Sequence, residues 1–277
     1  MSVVKARTQR GARPKQVSVP KTADRQFVTA LARGLKVLQC FAPATPELGT
    51  SHIARLTGLP QPTVWRLCHT LTQLGFLVSV ADSDRLRLGL PVLTLGYTVL
   101  ANNRIGETAK PYMQAIAKRY QGAVSLGARD GLNMLYLQRC QGSLIILADL
   151  GVGSRVPLAY SATGWAYLAA LPDGERKQLI SEIRAVDRQN WATVEPLFET
   201  SLAKFKKTGY IVNIGSLHPQ VNAVAVPVWS QDGSVLLTVS SGGINSVFND
   251  KVLHDVGMEL KALAKKLGSA VTRNTNL

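Results

Sequence analysis

The stretch TSHIARLTGLPQPTVWRLCHTLTQLG, residues 50–75, admits little besides two helices joined by a tight turn. The hydroxyl of Thr50 or Ser51 suits the start of the first helix, because it accepts from a backbone N–H with no intrahelical partner. Ile53, Ala54 and Leu56 give that helix an apolar side. Gly58 ends it, and Pro60 and Pro62 follow where a new helix tolerates proline best, in its first turn. In the second helix, Pro62 to Leu74, the residues Val64, Leu67, Cys68, Leu71 and Leu74 recur at i, i+3, i+4, i+7 and i+10 and predict one buried stripe. The opposite side carries Gln61, Thr63, Trp65, Arg66, His69, Thr70 and Gln73, groups able to read base edges in a major groove. This is a helix-turn-helix pattern.

Two short helices around a glycine turn also occur in ordinary helical cores, so the context decides. FLVSV (76–80), the turn ADSD (81–84) and the alternating RLRL (85–88) predict a hairpin directly after the second helix, the winged form of the motif. Arg85 and Arg87 alternate to one face, where they meet phosphates or only water. The candidate DNA-contacting set is therefore Ser51, Gln61, Thr63, Trp65, Arg66, His69, Thr70, Arg85 and Arg87.

Charge supports this reading. The chain of 277 residues carries a net +15, which points to a polyanionic partner. Residues 1–90 hold 13 Lys and Arg against 4 Asp and Glu, a net +9, and the remaining two thirds hold 19 against 13, a net +6. The excess thus gathers around the helix-turn-helix, although charge alone would equally fit a membrane surface. No apolar run approaches the 18 or more residues needed to span a bilayer, and the basic N-terminus lacks the apolar core of a secretory signal. Cys40, Cys68 and Cys140 form no CxxC pair, and with the histidines they show no metal-ligand spacing, so a reducing cytoplasm without disulfides, metal or cofactor is expected.

Residues 1–26 read as a basic disordered arm and 271–277 as a tail. Lys5, Arg7, Arg10, Arg13 and Lys15 add non-specific phosphate contacts or only solubility. A helix over Phe27 to Phe41, with Leu31, Leu35, Leu38 and Phe41 on one side, is expected to brace the helix-turn-helix within a DNA-binding domain at 27–89. LPVLTLGYTVLANN predicts a linker helix at 90–104, too apolar to stand alone in water, packed on the same helix of a second subunit or on its own second domain. Residues 105–270 alternate helices with strands at 123–128, 132–140, 143–150, 210–214, 222–230 and 234–242, the last two joined by an Asp-Gly turn. Hairpin-linked strands with helices before, between and after them indicate an α/β domain with a mainly antiparallel sheet.

The blocks FVTALARGLKVLQCF, TSHIARLTGLPQPTVWRLCHTLTQLGFL, RVPLAYSATGWAYLAAL and GYIVN…NAVAVPV, in this order, resemble an IclR-type transcriptional regulator over roughly residues 27–270. The resemblance implies a winged helix-turn-helix, a linker helix and a GAF-like α/β effector domain. It implies a homodimer or homotetramer that binds double-stranded DNA at a palindromic operator and responds to a small metabolite, often a carboxylic acid. It also implies a pocket. The ligand carboxylate would meet Ala162 and Thr163 at the start of the helix after PLAYSATG, where unpaired N–H groups attract anions. Asn213 stands where the family has an acid, Ala223 where it has a cysteine, and Thr238 and Ser240 supply the paired hydroxyls. With Trp165 replacing a lysine, the expectation is a larger, more apolar cavity walled by Tyr160 and Trp165 and suited to an aromatic acid, unless those two rings are simply core.

No GxSxG, GxGxxG or HExxH is present, and His218 and His254 are isolated, so an enzyme is not expected. An α/β-domain enzyme and an architectural DNA-binding protein without ligand are the alternatives.

Overall fold

Gly58 adopts a left-handed backbone (φ 69°) that glycine reaches without steric penalty, and its N–H returns to the Ala54 carbonyl. That residue fixes the angle between α2 (Thr50–Thr57) and α3 (Gln61–Gln73). The computed structural model describes residues 26–143, 149–233 and 236–270. The basic arm, the tail and most of the strand expected at 143–150 lie outside them. The chain divides into two units, at Thr98/Val99.

In the first unit α1 (Thr29–Leu38) packs with α2 and α3, and β1 (Glu47–Gly49), β2 (Leu77–Ser79) and β3 (Arg85–Leu88) form an antiparallel sheet in the order β1-β3-β2. The β2–β3 pair is the expected wing. The third strand, β1, is only three residues long, too short for alternation to register in the sequence. Val37, Phe41, Leu48, Ile53, Val64 and Leu77 build the core.

Three local expectations are corrected. The residue preceding α2 is Gly49, with no side-chain cap, so Thr50 lies inside the helix and the Ser51 hydroxyl instead accepts from Gln61 Nε2 at 3.0 Å. Leu74 is 61 % exposed, because α3 ends at Gln73 and the buried stripe stops with it. Leu31 and Leu35 of α1 are also exposed, and Val37 points inward in their place. On the same helix Lys36 Nζ donates to the Thr57 carbonyl at 2.7 Å and so caps the negative end of α2.

α4 (Leu90–Ala101) contains the division between the units, and none of its residues is buried.

The second unit is a six-stranded, wholly antiparallel sheet in the order β6-β5-β4-β9-β8-β7. Its strands are β4 (Ala123–Asp130), β5 (Asn133–Gln141), β6 (Arg155–Pro157), β7 (Ile211–Ile214), β8 (Val221–Trp229) and β9 (Leu236–Ile244). Helices α5 (Arg104–Tyr120) and α8 (Asp250–Ala270) cover one face over Val124, Leu126, Val226, Val239 and Phe248. Helices α6 (Ala162–Ala170) and α7 (Asp173–Thr208) close a second core around Trp165, Trp191, Phe198 and Ile211. α7 is a single run with a kink at Asp187, whose backbone is not helical, and it stops at Gly209 (φ 75°). β6, three residues ending in proline, was not foreseen. Among the described residues no helix is long and apolar enough to cross a membrane.

Candidate functional site

On α3, Val64 and Cys68 turn inward, and Gln61, Trp65, Arg66, His69 and Thr70 stand exposed, with Thr63 half-buried. Trp65 and His69, one turn apart, stack with ring centroids 5.6 Å apart and planes 9° from parallel. The Thr70 hydroxyl donates to the Arg66 carbonyl at 3.1 Å, which leaves its lone pairs outward. The first turn of α3 contains no acid to offset the positive end of the helix dipole. On the wing Arg85 and Arg87 are exposed while Leu86 between them is buried. Arg87 lies opposite Glu47 in the sheet. The nine candidate residues thus lie within one unit, on α2, α3 and the wing.

The second candidate site lies on the sheet face beneath α6. Directly opposed residues of an antiparallel sheet, and residues two apart along a strand, share a face. One rung runs Arg139, Ser125, Ser240, Ala225, and the next on that face runs Ala123, Gly242, Ala223, Asn213. Above them the Ser161 hydroxyl caps α6 by accepting from Gly164 N–H at 3.1 Å, so the Ala162 and Thr163 N–H groups open the helix with no intrahelical acceptor. Gly164 must be glycine, since a Cβ there would fall 2.3 Å from the Leu158 carbonyl oxygen. The enclosed space is about 50 Å³.

Of the eight residues expected there, Ala162, Thr163, Asn213, Ala223 and Ser240 line this cavity, and Tyr160, Trp165 and Thr238 do not. Trp165 is buried, donates its indole N–H to the Ala159 carbonyl at 2.7 Å and packs edge-on against Phe198, which makes it a core residue. The Tyr160 hydroxyl donates to Asp187 at 2.5 Å at the kink of α7, and burial together with that carboxylate pushes its pKa up. Thr238 is fully buried, with its hydroxyl 2.5 Å from that of Thr163, so it pins α6 to β9. The larger cavity walled by Tyr160 and Trp165 is therefore not formed.

Asn213 lines the cavity but spends its amide on structure. Its Nδ2 donates to the Tyr160 carbonyl at 3.0 Å and its Oδ1 accepts from Ser216 N–H at 3.3 Å. Among the lining residues that were missed are Ser125, Tyr136 and Arg139. Arg139 donates from Nη1 to Ser125 Oγ at 3.0 Å and lies over the Tyr136 ring at 5.7 Å. Burial lowers the Arg139 pKa and raises that of Tyr136. The signal available in the sequence was a lone cation inside the otherwise uncharged strand NMLYLQRCQ.

His254 and His218 serve the fold. His254 Nδ1 is 2.9 Å from the Tyr210 hydroxyl, and His218 Nδ1 accepts from Gln220 N–H at 3.3 Å.

Comparison with known proteins bears directly on both sites. The family model described as the IclR helix-turn-helix domain matches residues 30–81. The one described as bacterial transcriptional regulator IclR C-terminal matches residues 97–269. The chain belongs to the IclR family. A crystal structure of an IclR family transcriptional regulator from Brucella abortus is 40 % identical, with a TM-score of 0.83 over 92 % of this chain and 97 % of that one. The HTH-type transcriptional regulator TsaQ1/TsaQ2 of Comamonas testosteroni is 34 % identical over 202 residues, 72 % of each chain. The Pca regulon regulatory protein of Pseudomonas putida is 30 % identical over 222 residues, 79 % of this chain and 75 % of that one. The fold, though no more than that, is shared with an IclR homolog from Microbacterium hydrocarbonoxydans crystallised with 4-hydroxybenzoate, at 22 % identity and a TM-score of 0.67 over 87 % and 98 % of the two chains. As an IclR-family member the chain is a transcriptional regulator with a helix-turn-helix DNA-binding domain and a C-terminal effector domain.

Proposed function

We propose that this regulator acts in the cytoplasm as a homodimer or homotetramer, reads a palindromic operator through α3, and is switched by a small carboxylic acid held beneath α6. The observation that carries the DNA reading is the exposed face of α3, with Trp65, Arg66 and His69 beside the two wing arginines. Arg66 contacts a base edge, Gln61 and Ser51 approach a phosphate at the helix start, and Arg85 and Arg87 meet the backbone from the wing. Dimerisation is supported by apolar exposure on two helices. Leu90, Leu93 and Tyr97 follow one another at three- and four-residue steps on α4, each more than half exposed, and Leu31 and Leu35 stand open on α1. A dimer would set two recognition helices one turn of DNA apart, about 34 Å.

For the effector, the unpaired N–H groups of Ala162 and Thr163 and the hydroxyl of Ser240 support a carboxylate at the α6 end. Tyr136 supplies the aromatic wall once assigned to Tyr160 and Trp165, which keeps aromatic and unsaturated acids in view.

The test is selection of bound duplexes from a random pool, followed by fluorescence anisotropy on the selected site. Two-fold symmetric sites should emerge. Arg66→Ala should weaken the selected site by about 1–3 kcal/mol and leave random DNA almost unchanged. Equal loss on both, or no loss, would reject the base-reading role. Addition of 4-hydroxybenzoate or an aliphatic acid should shift the affinity for the selected site, and indifference to every acid would reject the effector reading.

A further inference from the structure

The cavity beneath α6 has two positive poles. One is the amino end of α6, held over β9 by the Thr163–Thr238 hydroxyl contact. The other is the Arg139 guanidinium, drawn over β4 by its bond to Ser125 and laid against the Tyr136 ring. Among the described lining residues Arg139 is the single charged side chain, and none is a carboxylate. Burial disfavours the charged guanidinium.

The spacing of the poles follows from register. Ser125 is opposite Ser240, and Thr238 lies two residues further along β9. One strand spacing of ~4.8 Å across and two residues of ~3.3 Å along place the backbone of Ser125 and Thr238, the residues that anchor the two poles, on the order of 8 Å apart. A guanidinium presents a planar fork that matches a carboxylate in bidentate fashion, and a helix amino end accepts a second anionic group.

We propose that the effector is a compact dicarboxylate, with one carboxylate on the Ala162 and Thr163 N–H groups and the other on Arg139. This rests on the effector-pocket reading above and narrows it from one acid group to two. The gap between the poles suits an acyclic diacid of roughly four to six carbons. The enclosed volume of about 50 Å³, room for a few water molecules at ~10–15 Å³ each, favours a slender chain over a broad ring. Arg139 then selects for the second charge, and Ser125 positions it.

Isothermal titration of the full-length protein with matched pairs tests this: butyrate against succinate, and hexanoate against adipate. At least one diacid should bind ten or more times tighter than its monoacid partner. Arg139→Gln should remove that preference while leaving the monoacid affinity within about twofold, and Arg139→Lys should keep part of it. Thermal melting of each variant without ligand reports whether it folds, and the wild-type preference stands as a test on its own. Monoacids binding as well as diacids would overturn the proposal and leave the carboxylate-effector reading intact. An equal loss of both classes in Arg139→Gln would overturn it as well. Binding of neither class to wild type would overturn the proposal, and the carboxylate-effector reading would fall with it only if 4-hydroxybenzoate is not bound either.

Discussion

Asn213→Asp restores the acid that the family resemblance places at this position, and it should harm this protein. Asn213 is 2 % exposed, and its Nδ2 donates to the Tyr160 carbonyl at 3.0 Å. A carboxylate has no hydrogen to give, so the exchange leaves that carbonyl unsatisfied and sets a second electron-rich oxygen against it. An unpaired buried acceptor costs about 1–3 kcal/mol, and the desolvated charge adds to it. For a unit of this size each kcal/mol moves the melting temperature by roughly 2–4 °C, so a loss of about 5–10 °C at pH 7 is expected. The pH dependence carries the diagnosis. Burial raises the new carboxyl's pKa in the folded state, because only the protonated form can donate to Tyr160. The penalty is therefore absent below the unfolded-state pKa near 4, grows as pH rises towards the folded-state value, and is complete above it. Differential scanning fluorimetry at pH 4.5 and 7.5 measures this, with Asn213→Ala as the reference that lacks donor and charge alike. An Asn213→Asp protein that melts with wild type at pH 7.5, or whose deficit does not shrink in acid, would show that the clasp between Tyr160 and β7 contributes nothing.

Further tests address other contacts. Trp165→Phe should destabilise by about 1–2 kcal/mol through the lost Ala159 bond and leave acid binding unchanged, as checked by urea unfolding and titration. Gly164→Ala should cost about 1–3 kcal/mol or more in the same unfolding assay, since its methyl meets the Leu158 backbone. Burial pushes the Cys40 and Cys68 pKa values up to about 11, so both thiols should resist a thiol-reactive dye at pH 7.5 until the chain is unfolded. Because those thiols ionise first in the unfolded chain, they should also erode stability as pH rises from about 9 to 11, which alkaline melts would register. Leu93→Asp on α4 should shift sedimentation towards monomer and weaken operator binding, whereas an unchanged sedimentation coefficient would reject α4 as the pairing surface.

The helix-turn-helix was legible because a 3.6-residue period and a glycine stop are local. Val64 and Cys68 turn inward as their spacing requires, and Trp65, Arg66 and His69 turn outward. The sheet was legible in its long strands, where alternation has room to repeat, and not in β1 and β6, three residues each. α1 was misjudged because two apolar stripes compete on it, and the one carrying Val37, Cys40 and Phe41 is the one buried. The cavity followed the same rule. Ala162, Thr163, Asn213, Ala223 and Ser240 were all indicated by the resemblance, the first two with support from the start of their helix. Trp165 could not be placed, since a ring beside a pocket motif turns inward when Ala159 offers its carbonyl. Arg139 was overlooked because its neighbours, Ser125 and Tyr136, are brought to it only by strand pairing.

The Trp65–His69 pair on α3 has a further consequence. Two rings stacked on each other restrict one another's torsions before any partner arrives. Ordering a mobile side chain on binding costs about 0.5–1.5 kcal/mol, and on the proposed DNA-reading face this pair would avoid part of that. The same restriction would limit reshaping around a wrong base step, so the proposed face would lose affinity on near misses.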